Sequence, residues 1–99
     1  MRYSRNEKAS EWAQTLAIEA LAYLAADMER LEPFLSLTGI DIGNLRQVAA
    51  QPSFLVAVLD HLAGDESLLL AFAANGGHDP ADIDRARQTL AGPQPDWGA

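Results

Sequence analysis

The chain has no cysteine. That excludes a disulfide framework and thiolate chemistry, and the fold needs no oxidising compartment. Basic residues are scarce: seven Lys and Arg stand against fourteen Asp and Glu, for a formal charge of −7. Arg2, Arg5 and Lys8 all lie at the start, so the remaining body is more acidic still. A field of that sign repels phosphate backbones and anionic lipid and slows encounter with either. β-Branched residues are few, and no alternating run of strand type occurs. No run of about 18 residues is uninterruptedly apolar. The richest stretch, Pro52 to Ala74, is broken by Asp60, His61, Gly64, Asp65 and Glu66, which excludes a membrane span. The opening MRYSRNEKASEW lacks the apolar centre of a signal peptide. A cytoplasmic protein is expected.

What is present points to helix. Hydrophobic residues make up 48% of the 99, which argues against disorder. Ala and Leu dominate, and both are strong helix formers. The length suits one domain with a modest core. The expectation is an all-α fold, a compact bundle of five or six helices with a long first helix as spine. Residues 7–92 form the domain, 1–6 a flexible arm and 93–99 a frayed tail carrying Trp97.

The first helix is expected from about Glu7 to Ala26. Trp12, Leu16, Ala20 and Leu24 recur four residues apart, with Ala13, Ala17 and Leu21 alongside and Ile18, Ala22 and Ala25 broadening the stripe. At 1.5 Å per residue it is about 30 Å long. Asp27 caps a second helix from Met28 to about Leu37, in which Leu31, Phe34 or Leu35, and Leu37 supply the apolar side. Pro33 deletes one backbone bond there, so this helix either kinks or begins only near Pro33. Gly39 ends it in the left-handed region. Asp41 caps a third helix, Ile42 to Ala50, whose first turn is weakened by Gly43 and Asn44. Pro52 opens the fourth, which stops at Gly64; Asp65 caps the fifth, which stops at Asn75-Gly76-Gly77. Asp79 and Pro80 start the sixth, which runs to about Ala91. The fourth and fifth helices are apolar over more than half their circumference, so the others are expected to pack around them.

No chemical motif stands out. His61, Asp65, Glu66, His78 and Asp79 are the conceivable metal ligands, but no HExxH occurs, and Asp65 and Asp79 are committed as caps. Asp60 and His61 are adjacent on a helix and point about 100° apart, so neither orients the other. Ser53 and Ser67 follow helix starts, and no nucleophile elbow is present. The glycines at 76 and 77 lack the spacing of a phosphate loop and follow no strand. Leu37 to Ala49 has a faint helix-hairpin-helix spacing, yet Asp41 stands where a second glycine should meet phosphate. Read instead as the recognition helix of a helix-turn-helix, the fourth helix offers no Arg, Lys, Asn or Gln to a base edge. Leu68, Leu69 and Leu70 in a row cannot all face one core. With Phe72 they mark a candidate interaction surface.

The chain also resembles a known family. Ala20-Leu21-Ala22-Tyr23-Leu24, Phe34-Leu35-Ser36-Leu37-Thr38-Gly39 with Leu45-Arg46, Phe54-Leu55 with Val58-Leu59-Asp60, and Asp65 to Phe72 are similar to a bacterial domain-of-unknown-function family of about this length, seen chiefly in alphaproteobacteria. The resemblance covers about four fifths of the chain, with Pro33 a departure from its pattern. It implies a small helical cytoplasmic protein and brings no activity, cofactor or catalytic residue.

The resulting expectation is a non-enzymatic protein-interaction module acting through apolar helix surface, with a protein partner or a homo-oligomer and no cofactor. A nucleic-acid-associated protein using Arg2, Arg5, Lys8 and Arg46 is the second reading. A small enzyme or metal binder using His61 and His78 is the third.

Overall fold

Three aspartates start three helices in the same way. Asp27 Oδ1 accepts the Glu29 N–H at 2.9 Å, Asp65 Oδ1 the Leu68 N–H at 3.2 Å, and Asp79 Oδ1 the Ala81 N–H at 2.9 Å. Each satisfies an amide that the helix itself leaves open and places negative charge at the positive end of the helix dipole. The computed structural model describes residues 5–49 and 51–91. They form α1 (Arg5–Ala25), α2 (Met28–Thr38), a 3-10 turn (Ile42–Asn44), α3 (Leu45–Val48), α4 (Pro52–Ala63), α5 (Glu66–Gly76) and α6 (Pro80–Leu90). The protein is therefore an all-α compact bundle with α1 as its longest element, and no strand occurs among the described residues. The remaining residues lie outside the description, among them the whole expected tail, 93–99 with Trp97, and residues 1–4 of the expected arm.

Two boundaries differ from expectation. α2 does not start late: one continuous helix runs from Met28 through Pro33, which is exposed. The Asp27 cap, the Arg30 and Leu31 amides bonded to the Asp27 carbonyl, and the burial of Leu31 and Phe34 hold the helix across the missing bond. The expected third helix is instead a 3-10 turn followed by four α-helical residues, because Gly43 and Asn44 favour the tighter turn over a first α-turn.

The core sits between α1, α4 and α6, which make the most extensive contacts in the bundle. α1 contributes Ala13, Leu16, Ala17, Ala20 and Leu24, so its alanines admit close neighbours along its whole inner face. α4 buries Phe54, Leu55, Val58, Leu59 and Leu62, and α6 buries Ile83 and Ala86. α5 is peripheral by comparison and buries only Phe72 and Ala73. The organising unit is thus α1 with α4 and α6 rather than the α4–α5 pair. Hydropathy ranks α5 above α6, but α6 fits its narrower stripe against two helices at once. No polar residue is fully buried among those described. Arg87 ties α6 to α4 through Asp60 at 3.4 Å and also bonds Asp84 within α6. Its hydrogen bond to Asp84 leads in holding the guanidinium pKa above the usual value.

Candidate interaction surface

The residues singled out on α5 separate. Leu68 and Leu69 are half-buried against the core, and Leu70 faces outward at 47% exposure. Phe72 is 2% exposed, packed into the core with its ring 5.6 Å from that of Tyr23. One of three consecutive leucines therefore does point outward, while Phe72 is not available at the surface.

More apolar surface lies elsewhere. Leu37 is 78% exposed, Ile42 53%, Ile18 49% and Met28 48%. Leu37 was expected to face inward. Phe34, one turn earlier, takes the contact with α4, its ring 5.6 Å from Phe54 and 5.3 Å from His61. Leu37 is left on the rim of a shallow depression it shares with Thr38, Ala57 and Asp60.

Ile18 and Ile42 belong to one feature. Ile18, Ala22 and Ala25 recur along the outer side of α1 at helical spacing. The 3-10 turn and α3 run beside them and present Ile42, Leu45 and Ala49. Between the two lies an open groove of about 410 Å³, lined by those side chains with Leu21 at the floor and Arg46 on the far wall. Seven of its eight lining residues are apolar, and Ile18, Ala22, Ala25 and Ile42 are exposed. The broad stripe on α1 therefore has two uses. Its inner part makes the core, and its outer part makes one side of a groove.

On the opposite flank of the same α1 row is a second groove of about 440 Å³, which shares Ala22 and is lined by Glu19, Tyr23, Ala26, Arg30, Phe72, Asn75 and Gly76. Its two charged side chains, Arg30 and Glu19, are engaged in contacts that hold the fold. The Arg30 guanidinium carbon lies 4.0 Å over the Tyr23 ring centroid, its Nε donates to the Tyr23 carbonyl at 3.0 Å, and Nη1 meets Asp27 at 3.4 Å. His78 Nε2 is 2.9 Å from Glu19 Oε1, and its ring stacks on Phe72 with centroids 5.4 Å apart. These contacts fasten the α5–α6 junction and the start of α2 to α1.

The two histidines thus have different neighbours. His61 lies edge-on to Phe34, and burial lowers its pKa, opposed by the charge of Asp65. No group of three or more His, Asp and Glu side chains among the described residues is arranged to hold a metal ion. Of the basic residues considered for nucleic acid, Arg46 is exposed on the apolar groove; the side chains of Arg2, Arg5 and Lys8 fall outside the description. No described helix is long and apolar enough to cross a membrane.

Fold and surface together define a small all-α bundle with an open apolar groove along its longest helix. The chain belongs to the family described as Protein of unknown function (DUF3572), whose model matches residues 10–93, a span that contains both grooves. No curated protein and no solved structure matches it.

Proposed function

We propose that this protein is a non-enzymatic protein-interaction module, acting in the cytoplasm, that binds through the groove between α1 and α3. One observation carries the reading: Ile18 and Ile42 stand about half exposed on facing walls of one continuous apolar groove. Apolar surface gathered in one concave strip, rather than scattered singly, is the usual mark of a binding face. A groove between two helices suits a third helix, laid in with residues at i, i+3 and i+4 as anchors. The acidic body, by contrast, disfavours a phosphate backbone as the ligand. In the other groove, Glu19 is bonded to His78 and Arg30 to Asp27 and the Tyr23 carbonyl, so its two charged groups already serve the fold.

The test is affinity capture from native lysate with quantitative mass spectrometry. Wild type is compared with Ile18→Glu/Ile42→Asp and, as a control, with Leu37→Asp/Leu70→Asp. The reading expects a protein, this chain included, retained by wild type and the control and lost from the groove variant. Identical retention by all three would contradict it.

A further inference from the structure

The occupant of the groove can be argued from its own walls. The exposed row of α1, Ile18-Ala22-Ala25, is a ridge, and the groove lies directly beside it. A ridge next to a groove is self-complementary under one kind of symmetry only. If a two-fold axis runs along α1, the ridge of each copy enters the groove of the other. If the axis runs across α1, ridge meets ridge and groove faces groove. Ridge-into-groove packing is the arrangement that helix pairs adopt, and alanines at positions 22 and 25 allow the close approach it needs.

The charges agree with that choice. Arg46 stands on the far wall of the groove, and Glu19 stands on the opposite flank of the ridge. In the two-fold arrangement along α1, Arg46 of each copy falls on the Glu19 flank of the other. Glu19 bonds His78 through Oε1 and is about half exposed, so its carboxylate can accept a further donor. We propose that the groove is filled by a second copy of this chain, α1 beside α1 and pointing the same way, with Arg46 of each copy paired to Glu19 of its mate. This rests on the interaction reading above and names its partner. Repulsion between two chains of −7 is confined to short range at physiological salt, where screening acts over about 8 Å.

Sedimentation equilibrium over a dilution series in about 0.15 M salt, where screening acts over about 8 Å, tests it. Wild type is expected to dimerise in the micromolar range, and Ile18→Glu to be monomeric throughout. Ile18 is half exposed, so this change leaves the core intact; circular dichroism and thermal melts check that. Arg46→Glu alone and Glu19→Arg alone each place like charges at both contacts, and each is expected to weaken the dimer at least about tenfold. An equal mixture of the two single variants is expected to recover dimer, because both contacts between unlike chains are then attractive. A wild type monomeric up to about 0.5 mM, a dimer untouched by Ile18→Glu, or a mixture no tighter than its parts overturns the proposal. In the first case the capture experiment still decides whether another protein uses the groove.

Discussion

His78 Nε2 and Glu19 Oε1 lie 2.9 Å apart, though the residues are separated by 59 positions in the chain. The contact fixes the α5–α6 junction on α1, and Gly76 makes it possible. A Cβ at position 76 would lie 2.7 Å from His78 Cδ2 and 2.9 Å from Nε2. The ring must then shift, which disturbs its bond to Glu19 and its stack on Phe72.

Gly76→Ala is therefore expected to destabilise by about 1–2 kcal/mol, the worth of one charge-assisted hydrogen bond and one ring contact, although alanine is the better helix former. In a His78→Ala background the obstruction is gone, and the same change should stabilise by up to about 1 kcal/mol. Urea denaturation of the four proteins in this cycle measures the change of sign. Gly77→Ala should destabilise in either background, because Gly77 sits at φ 71°, in the left-handed region.

His61 gives a pH dependence with a definite sign. Burial lowers its folded-state pKa below the ordinary 6.5, and Asp65 offsets only part of that. The unfolded chain then binds more protons at this site in the window between the lowered value and 6.5, so stability rises with pH there. The contribution is complete above about pH 6.5 and is lost as pH falls through the folded-state pKa. A proton-NMR titration should place the His61 midpoint below 6.5, and His61→Gln should flatten this part of the stability profile. A midpoint above 6.5 would refute the assignment.

On α5, Phe72 and Leu70 should behave oppositely despite their similar hydropathy. Phe72→Ala empties a core position beneath both Tyr23 and His78, and a loss of about 3–4 kcal/mol is expected. Leu70→Ala removes a half-exposed side chain and should stay within about 0.5 kcal/mol. Thermal melts of both variants suffice.

Pro33 offers a gain. Its exposed position inside α2 lacks one helical hydrogen bond, so Pro33→Ala should raise stability, by up to about 3 kcal/mol. An unchanged or lowered denaturation midpoint would show that the ring contributes packing or chain stiffness that offsets the missing bond.

Much of this fold was legible because helix ends are local. Asp27, Gly39, Pro52, Asp65, Asp79 and Pro80 each act through neighbours within a few residues, and all take the positions their chemistry predicts. The misread features are those set by distant contacts. Pro33 looked like a break because the burial of Leu31 and Phe34 that carries α2 across it is tertiary. Leu37 looked like core because periodicity cannot say that Phe34 takes the contact with α4. Asn75-Gly76-Gly77 read simply as a stop, whereas Gly76 also makes room for a ring fastened to α1. The groove was harder still. In sequence, Ile18, Ala22 and Ala25 only broaden the stripe of the first helix; the neighbouring 3-10 turn decides that they line a groove and not the core. Leu68–Phe72 stands out because three adjacent leucines are conspicuous in sequence, while a wall made from residues more than twenty positions apart is not.

The most direct measurement is methyl NMR with the isoleucine and leucine methyls labelled, followed from high protein concentration to low. The account predicts that Ile18 and Ile42 shift together with concentration, while Leu37 and Leu70 stay fixed. Movement of Leu37 or Leu70 with Ile18 and Ile42 unmoved would place the interaction surface elsewhere and contradict it.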